Sequence, residues 1–330
     1  MLKYIGKRAM ANGLILVAIS MITYLIFWAL PVNPASISCG THCTPQKIAA
    51  NEHLLGLDVP IWVQYGRFVK GLVVGANYAD GQVHCSAPSL GYSVPTNTCV
   101  TTLLAQKFPV TLSLAIGAFI LWMLIGMSMG IVAARYRGRW PDKAANAFVL
   151  TGTSLPTFLL GLLLLIGATL AHWIDPITQG LWVAPWSDPI GFFKNFIFAW
   201  ITLAITSAAI YTRLTRGSVI ETSSEDFIRT ARAKGVSEWR ILLKHNLRTS
   251  LAPIISQAGL DFGGLLGGAV ITEKVFNLQG LGNVAITAVL QTYDLPILVG
   301  TTLIAAAFYL VFNLIVDVAY SFLDPRVRIS

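Results

Sequence analysis

Charged side chains are scarce in this sequence. Only 12% of its 330 residues are Asp, Glu, Lys or Arg, whereas an ordinary soluble domain has about 25%. Hydrophobic residues make up 55%, and the mean hydropathy is +0.67. This composition excludes a disordered chain and argues against a soluble enzyme. The few charges lie in short clusters between long apolar segments, which indicates an integral membrane protein rather than a basic groove for nucleic acid.

Motifs for nucleotide binding and for catalysis are also missing. The sequence has no Gly-x-x-x-x-Gly-Lys-Ser/Thr phosphate loop, no His-Glu-x-x-His pair and no nucleophile-elbow pattern. We therefore expect no catalytic residues, no cofactor and no ATP binding of the usual kind in this chain. Energy for any transport must come from a partner protein or from an ion gradient.

Six apolar stretches are long enough to cross a membrane. A helix needs about 20 apolar residues for this, and backbone in lipid has to be helical because unpaired amides and carbonyls are costly there. The sequence therefore predicts an all-α integral membrane protein with six transmembrane helices. They cover about residues 11–30, 109–134, 147–173, 196–211, 251–272 and 296–322.

Lys and Arg predict the orientation of these helices. Most of the 23 basic residues lie at the two ends of the chain and in the segments after spans two and four. The positive-inside rule makes that side cytoplasmic, together with both termini. The formal net charge of +8 is then a topology signal, and no nucleic-acid partner is needed to explain it.

The sequence contains four cysteines, all in the segment that this orientation places outside: Cys39, Cys43, Cys85 and Cys99. An oxidising exterior favours disulfides. Of the three possible pairings, Cys39–Cys43 with Cys85–Cys99 closes the shortest loops. A zinc site is the alternative, because His42 and His84 each adjoin a cysteine. The spacing matches none of the usual zinc patterns, so we favour disulfides and expect no metal.

The outer segment, residues 31–102, is too long for a simple turn. Thr44, Pro45 and Gly56 are an N-cap, a first-turn proline and a terminating glycine for one short helix. Apolar residues after Pro60 recur at helical spacing and predict a second helix, lying on the membrane surface or over the bundle. Residues 75–100 are rich in Gly, Ser, Asn and Pro and are typical of a loop. This segment is either a stabilising cap or a docking surface.

The segment between spans four and five predicts two short helices at a kink. Ser223 is a candidate N-cap with Asp226 at the third position, and Gly235 is a candidate C-terminal stop. A second helix follows from Ser237, and basic side chains that recur every four residues would share one face of it: Arg240, Lys244 and Arg248. The segment is either a knob that inserts into a partner protein or a solvated basic loop.

Residues 225–253, EDFIRTARAKGVSEWRILLKHNLRTSLAP, resemble the "EAA" loop of ABC importer permeases, and most closely that of the dipeptide/oligopeptide-type permeases. Four other stretches are similar to that subfamily, in order along the chain: residues 55–65 (LGLDVPIWVQY), 152–161 (GTSLPTFLLG), 273–282 (EKVFNLQGLG) and 323–328 (LDPRVR). The long outer segment is typical of the first, B-type permease subunit.

This resemblance implies a type I ABC importer permease fold in the bacterial cytoplasmic (inner) membrane. It also implies four protein partners: a second permease subunit, two cytoplasmic ATPase subunits and an extracellular substrate-binding protein. Membrane lipid is the surrounding partner. The implied divisions are residues 1–30 (N-terminus and first span), 31–102 (outer segment), 103–322 (permease core, with the coupling loop at about 217–249) and 323–330 (cytoplasmic tail).

In the family, the EAA loop forms a coupling helix that docks in a groove on the ATPase. Carried over, the contact residues would be Glu225, Asp226, Arg229, Ala231, Arg232, Lys234 and Gly235. The sequence departs from the literal motif, because Asp226 follows Glu225 and Ala231 comes later than the name implies. This spacing is usual for the peptide subfamily. Another departure is the cysteine-containing insertion at about residues 82–99, which leaves the docking of the binding protein open.

Two acidic residues lie within predicted spans, where charge is costly and indicates function. Asp317 is near the inner end of span six, where a structural role is expected. Asp261 is deeper in span five. It either lines the translocation path, for example attracting a peptide amino group, or forms a hydrogen bond to a neighbouring helix.

Small-residue spacings predict close helix packing. They involve Gly126 and Gly130 in span two, and Gly263, Gly264, Gly267 and Gly268 in span five. Pro156 in span three removes one helical hydrogen bond and permits a kink.

The sequence as a whole predicts a permease subunit of an ATP-driven importer that carries di- or oligopeptides by alternating access. Glutathione, a nickel chelate or another small solute are alternative cargoes within the subfamily. From other classes, an ion-coupled transporter using Asp261 and a non-transporting scaffold or receptor remain open.

Overall fold

The computed structural model describes residues 2–29, 35, 44–55, 58–78, 81–173, 180 and 182–323. The predicted Cys39–Cys43 bond, Gly56 and the 324–330 tail lie outside the described residues, and so does the side chain of Asp317.

Helices account for most of the described chain. In chain order they are α1 (Leu2–Ala29), α2 (Pro45–Leu55), α3 (Ile61–Val74), α4 (Val100–Arg135), α5 (Trp140–Ser154), α6 (Thr157–Leu170), α7 (Pro189–Ser223), α8 (Asp226–Ala233), α9 (Glu238–Arg240), α10 (Leu247–Leu266), α11 (Val270–Val275), α12 (Leu281–Thr287) and α13 (Leu295–Leu323). Two π-helical turns, Ile241–Asn246 and Ala288–Thr292, precede α10 and α13. Both helices predicted in the outer segment are confirmed as α2 and α3.

Four helices in the described part are long and apolar enough to cross a membrane: Gly6–Ile26 within α1, α4, α7 and Leu295–Val316 within α13. The pair α5 and α6 makes a fifth if it counts as one span, bent by 98°. The bend lies at Leu155 and Pro156, where the sequence predicts a kink, because the residue before a proline is pushed out of helical geometry. Predicted span five corresponds to α10, which is not among these helices. The count of six spans and the cytoplasmic side of the termini stay predictions.

Helices α4 and α7 run parallel and form the most extensive packing of the bundle. Gly117 meets the ring of Trp200 near their first halves, and Gly130 meets Thr215 further along. The core between them contains large buried side chains such as Trp122. The α4–α7 pair is therefore the rigid centre on which the other helices pack.

Helix α10 returns antiparallel to α7. Its first turn places Ser250 beside Ser218, whereas Asp261 further along reaches Tyr211. Helix α13 is antiparallel to α10 in turn, because Gly259 lies against Val316 and Gly267 lies against Ala305. The helices α7, α10 and α13 thus alternate in direction.

Helix α1 is attached to two other helices, α13 and α3. The Asn12 side chain donates to the Leu310 carbonyl of α13 at 3.1 Å. The Tyr24 ring packs against Tyr65 and Phe68 of α3, with centroids 5.9 and 5.8 Å apart. The bundle therefore has one end that carries α8 and α9, the elbow end, and an opposite end with α2, α3 and the strands, the cap end.

The cap end contains two small hairpins where the sequence predicts only loop, so that prediction is wrong. Strand β1 (Ala76–Tyr78) pairs with β2 (Val83–Cys85), and β3 (Tyr92–Ser93) pairs with β4 (Thr98–Cys99). Strands of two or three residues are too short to show an alternating pattern. A disulfide joins Cys85 to Cys99, as predicted, and so links β2 of one hairpin to β4 of the other.

The hairpins are tied to the outer end of α13. The carboxylate of Asp294 is buried, caps α13 at the Ile297 amide (3.3 Å) and accepts a hydrogen bond from the Ser93 hydroxyl. Burial raises the pKa of Asp294, and the two hydrogen bonds oppose this rise. Nearby, Gly91 lies against Pro296 with a φ of +115°, so a side chain there would be both strained and blocked. The insertion at residues 82–99 is thus an integral part of the fold.

At the elbow end, an ion pair joins α5 to α7. The Arg216 guanidinium donates to both carboxylate oxygens of Asp142, at 2.6 and 3.0 Å. Asp142 is buried and also accepts from the Gly138 amide and the Asn146 side chain. The fixed position of the turn between α4 and α5 follows from these contacts.

Replacing Asp142 by alanine is expected to lower the free energy of unfolding by about 3 kcal/mol, because the Arg216 guanidinium and the Gly138 amide both lose this hydrogen-bond acceptor. Thermal unfolding of the purified chain in detergent measures this. The control is Asp226→Ala, which breaks an exposed pair with Arg229 and should cost less than about 1 kcal/mol. Equal shifts for both variants would contradict the prediction.

Candidate functional site

In the elbow, residues 224–246, helix α8 begins two residues later than the sequence predicts. Ser223 is not an N-cap. It ends α7, where its hydroxyl donates to the Val219 carbonyl at 2.7 Å. The chain turns at Ser224, and Glu225 is the extended residue before α8. The prediction fails because α7 stays helical well beyond Tyr211, where the predicted span ends, and buries Val219 and Thr222 on the way.

Helix α8 ends at a Schellman motif, as the glycine predicts. Gly235 has a φ of +77°, its amide donates to the Arg232 carbonyl, and the Val236 amide donates to Ala231. Apart from its two chain neighbours, no described residue has an atom within 4 Å of where a Cβ on Gly235 would be. The glycine is therefore required by backbone conformation and not by crowding.

An ion pair across the turn fixes the angle between α8 and α9. Arg232 donates to the two carboxylate oxygens of Glu238 at 2.5 and 3.2 Å. The hydrogen bond from Arg232 holds the pKa of Glu238 below its usual range, and Glu238 raises the pKa of Arg232. The contact is complete at neutral pH and is lost on acidification through the lowered pKa of Glu238. Because both side chains are about half exposed, it contributes little to stability.

The predicted coupling residues lie together on this elbow. All of them are exposed except Ala231, which is half-buried, while Ile228 anchors α8 as a fully buried side chain. Large apolar side chains accompany the charges, since Phe227 is 45% and Trp239 is 59% exposed. The sequence prediction did not include Trp239 as a contact residue. An exposed tryptophan beside charged residues is typical of a protein-binding surface.

A buried hydrogen-bond network connects the elbow to the bundle. The Asn246 amide nitrogen donates to the Val219 carbonyl (3.0 Å) and to the Ser223 hydroxyl (2.5 Å). The Ser250 hydroxyl donates to the Asn246 side-chain oxygen (2.9 Å) and contacts Thr222 (3.1 Å). The network therefore joins the end of the elbow to both α7 and α10.

The second half of the elbow differs from the sequence prediction. Residues Ile241–Asn246 form a π-helical turn, so the four-residue spacing of Arg240, Lys244 and Arg248 does not make one continuous α-helical face. All three are exposed. The π turn brings Ile241 and Leu242 into the interior.

Asp261 lies about three quarters of the way along α10, on a face that the described chain leaves open. Its carboxylate accepts hydrogen bonds from the Tyr211 hydroxyl (2.7 Å) and the Gln257 amide (2.9 Å). It is half-buried, whereas Gln257 and Gly264 on the same side of the helix are exposed. The hydrogen bond to a neighbouring helix is thus present, and the same carboxylate borders open space.

The glycines predicted for packing divide into two sets. A Cβ on Gly126 would lie 2.6 Å from Tyr211, and one on Gly130 equally close to Thr215, so both require close contact with α7. On α10, Gly259 and Gly263 face α13, and Gly267, the residue after α10, continues this seam. Gly264 faces open space, and Gly268 lies beyond α10 with a φ of +109° against Gly282. Gly264 and Gly268 therefore do not belong to the α10–α13 seam.

The sequence reasoning missed a buried carboxylate near the cap end. Glu273 is fully buried and accepts from the Thr111 hydroxyl (2.8 Å) and the Asn283 amide (2.9 Å). Burial raises the pKa of Glu273, and these hydrogen bonds oppose the rise. The Thr111 oxygen accepts in turn from the Leu281 amide at 2.8 Å. This carboxylate holds α4, α11 and α12 together. Its position in the 273–282 stretch, which resembles the permease subfamily, was the sequence signal that could have identified it.

Two family profiles match the chain almost end to end. One is described as "Binding-protein-dependent transport system inner membrane component" and matches residues 126–329. The other, the N-terminal component of the same transport systems, matches residues 1–115. The chain belongs to this family. It is a non-catalytic permease subunit of an ABC importer in the inner membrane, and such subunits work with a second permease, ATPase subunits and a binding protein.

Curated relatives agree over the full length. The permease is 34% identical to the "Glutathione transport system permease protein GsiC" of Salmonella paratyphi A, and 33% identical to that of Escherichia coli K12. Each comparison spans 329 residues and covers 99% of both chains. Among solved structures, an inward-facing MetNI methionine ABC transporter matches with a TM-score of 0.54 at 18% identity. It covers 68% of the permease and 97% of that chain, which shows the type I permease fold.

Proposed function

We propose that the ATPase subunits bind the permease at the elbow. Their conformational change during ATP hydrolysis moves the elbow and drives alternating access for a small peptide. The observation that carries this proposal is the buried network of Asn246 and Ser250, because it fastens an exposed elbow to two long helices at once. Glu225, Asp226, Arg229, Ala231, Arg232, Lys234 and Gly235 form the contact with the ATPase. Phe227 and Trp239 supply its apolar part.

The solute in this proposal is a peptide of glutathione size. The relatives at 33–34% identity are named for glutathione, which is itself a tripeptide, so the broader peptide assignment and the alternative glutathione cargo agree. Asp261 is proposed to line the path and to attract an amino group of the cargo. Its half-buried position on the open face of α10 supports this role.

The test of the coupling role uses two glycines with the same backbone requirement. Gly235 and Gly138 have φ values of +77° and +78°, and both have open space where a Cβ would be. Alanine at either position should cost about 1 kcal/mol of stability through the same backbone strain. Only Gly235→Ala should uncouple the assembled transporter, lowering solute uptake per ATP hydrolysed about tenfold.

The measurement is ATP hydrolysis and uptake of labelled glutathione and dipeptide by the complete transporter in liposomes. Equal uptake per ATP for Gly235→Ala and Gly138→Ala would contradict the role of the elbow. Uptake that persists without ATP and collapses with the proton gradient would favour an ion-coupled transporter instead. A preference for a nickel chelate over both peptides would correct the cargo and leave the elbow assignment intact.

A further inference from the structure

A cavity of about 630 Å³ lies at the cap end, away from both the elbow and Asp261. Its lining comes from α1, α2, α3, the β1–β2 hairpin, residues 90–92 and the first turns of α13. No residue of α4, α7 or α10 lines it, so it is separate from the open face proposed for the solute. The residues that matter below are Tyr24, Arg67, Lys70, Asn77 and His84.

The described lining of this cavity is cationic. Arg67 and Lys70 lie one turn apart on α3, and both are exposed. Neither has a hydrogen bond or ion pair with another part of the described chain, and no carboxylate is among the described residues that line the cavity. Asn77 and His84 add polar groups, already joined to each other at 2.6 Å. The cavity thus presents unpaired positive charge to an anionic oxygen group.

The cavity also lies beside the end of an apolar helix that is long enough to cross a membrane. Tyr24 lines it and sits two residues before the end of the apolar Gly6–Ile26 stretch of α1, where tyrosines are typical of the headgroup region. Helix α3 adds an outward apolar stripe of Trp62, Val69 and Val73, which are 73%, 39% and 75% exposed. Apolar residues with a tryptophan, flanked by Arg and Lys, are typical of helices that lie in the membrane interface.

We propose that this cavity is a binding site for the phosphate headgroup of an anionic phospholipid in the outer leaflet. Arg67 and Lys70 bind the phosphate oxygens, and the acyl chains lie along the outward stripe of α3. A free solute anion would satisfy the two cations but would leave this stripe in water. The lipid satisfies both features, and the site does not depend on the identity of the cargo.

The test measures lipid binding to the complete transporter, delipidated in detergent, by native mass spectrometry. The titrants are phosphatidylglycerol, phosphatidylcholine and the soluble headgroup glycerophosphoglycerol. Removing both cations in Arg67→Gln/Lys70→Gln should weaken phosphatidylglycerol binding about 30-fold. Each cation near an anionic headgroup strengthens binding about fivefold, and the two factors multiply. The matched control is Lys47→Gln/Lys194→Gln, which removes the same charge from exposed positions outside the cavity and should leave binding unchanged.

Selective loss of phosphatidylglycerol in the cavity variant alone supports the proposal. Equal binding by the two double variants, or equal binding of phosphatidylcholine and phosphatidylglycerol to the unaltered protein, overturns it. If glycerophosphoglycerol binds as tightly as the lipid, the site takes a free anion and the lipid assignment is wrong. Loss of the lipid when the substrate-binding protein is added also overturns it, because the surface is then a protein contact.

Discussion

Asn246→Leu is expected to lower solute uptake per ATP hydrolysed about tenfold, within the usual range of coupling free energies between sites. Asn246 is buried and bridges the end of α7 to the start of α10 through Val219, Ser223 and Ser250. Leucine has a similar size but makes none of these hydrogen bonds. The elbow then remains able to bind the ATPase, while its motion is no longer shared by both helices.

The measurement is again uptake and ATP hydrolysis by the reconstituted transporter. Thr249→Val is the control, because among the described residues the hydroxyl of exposed Thr249 donates only to the His245 carbonyl one turn earlier, at 3.4 Å. We expect loss of about 1–3 kcal/mol of stability for Asn246→Leu, so assembly is checked by size-exclusion chromatography. A variant that assembles and keeps the normal uptake per ATP would show that the network is only structural.

Gly263→Leu and Gly264→Leu are expected to give different defects, although the residues are adjacent: the first should lower stability and the second should lower uptake. A Cβ at Gly263 would lie 3.1 Å from the Phe312 Cβ and 3.2 Å from the Tyr309 Cα. Leucine there should separate α10 from α13 and destabilise the protein by about 3 kcal/mol. At Gly264 nothing lies within 4 Å, so leucine should leave the fold intact.

If the open face of α10 lines the path, Gly264→Leu should still block uptake, because the new side chain projects beside Gln257 and Asp261. We expect normal thermal stability with uptake reduced at least about tenfold. Gly264→Ala is the conservative control and should retain most of the activity. Full uptake by a stable Gly264→Leu variant would place the path elsewhere and remove the case for Asp261.

Local signals predicted part of this architecture well. Thr44 with Pro45, Pro156 and Gly235 each act through their own backbone geometry, so a single sequence is enough to place the helix start, the bend and the helix stop. The same reasoning placed Ser223 wrongly, because a hydroxyl near a helix end bonds back to its own helix as readily as it caps the next one.

Contacts between distant residues could not be predicted in this way. Asp142 meets Arg216 across 74 positions, and Glu273 meets Thr111 across 162. No periodic pattern connects such pairs. Which helical glycines face a neighbouring helix could not be predicted either. Gly263 and Gly264 are adjacent in the sequence, and only the packing of the bundle places α13 against one and open space beside the other. The π-helical turn at 241–246 was missed because its apolar residues also fit an α-helix.

The attachment of the cap to α13 has a thermodynamic consequence. Asp294 joins the β3–β4 hairpin to the first turn of α13, and the glycine seam joins α13 to α10, which starts at the elbow. If a binding protein docks on the cap and prefers one position of it, we expect that preference to bias the nucleotide cycle of the ATPase subunits at the elbow end. Reciprocity then requires that ATP occupancy change the affinity for the binding protein by the same factor. Surface plasmon resonance at two nucleotide concentrations would measure this coupling as the ratio of the two dissociation constants for the binding protein.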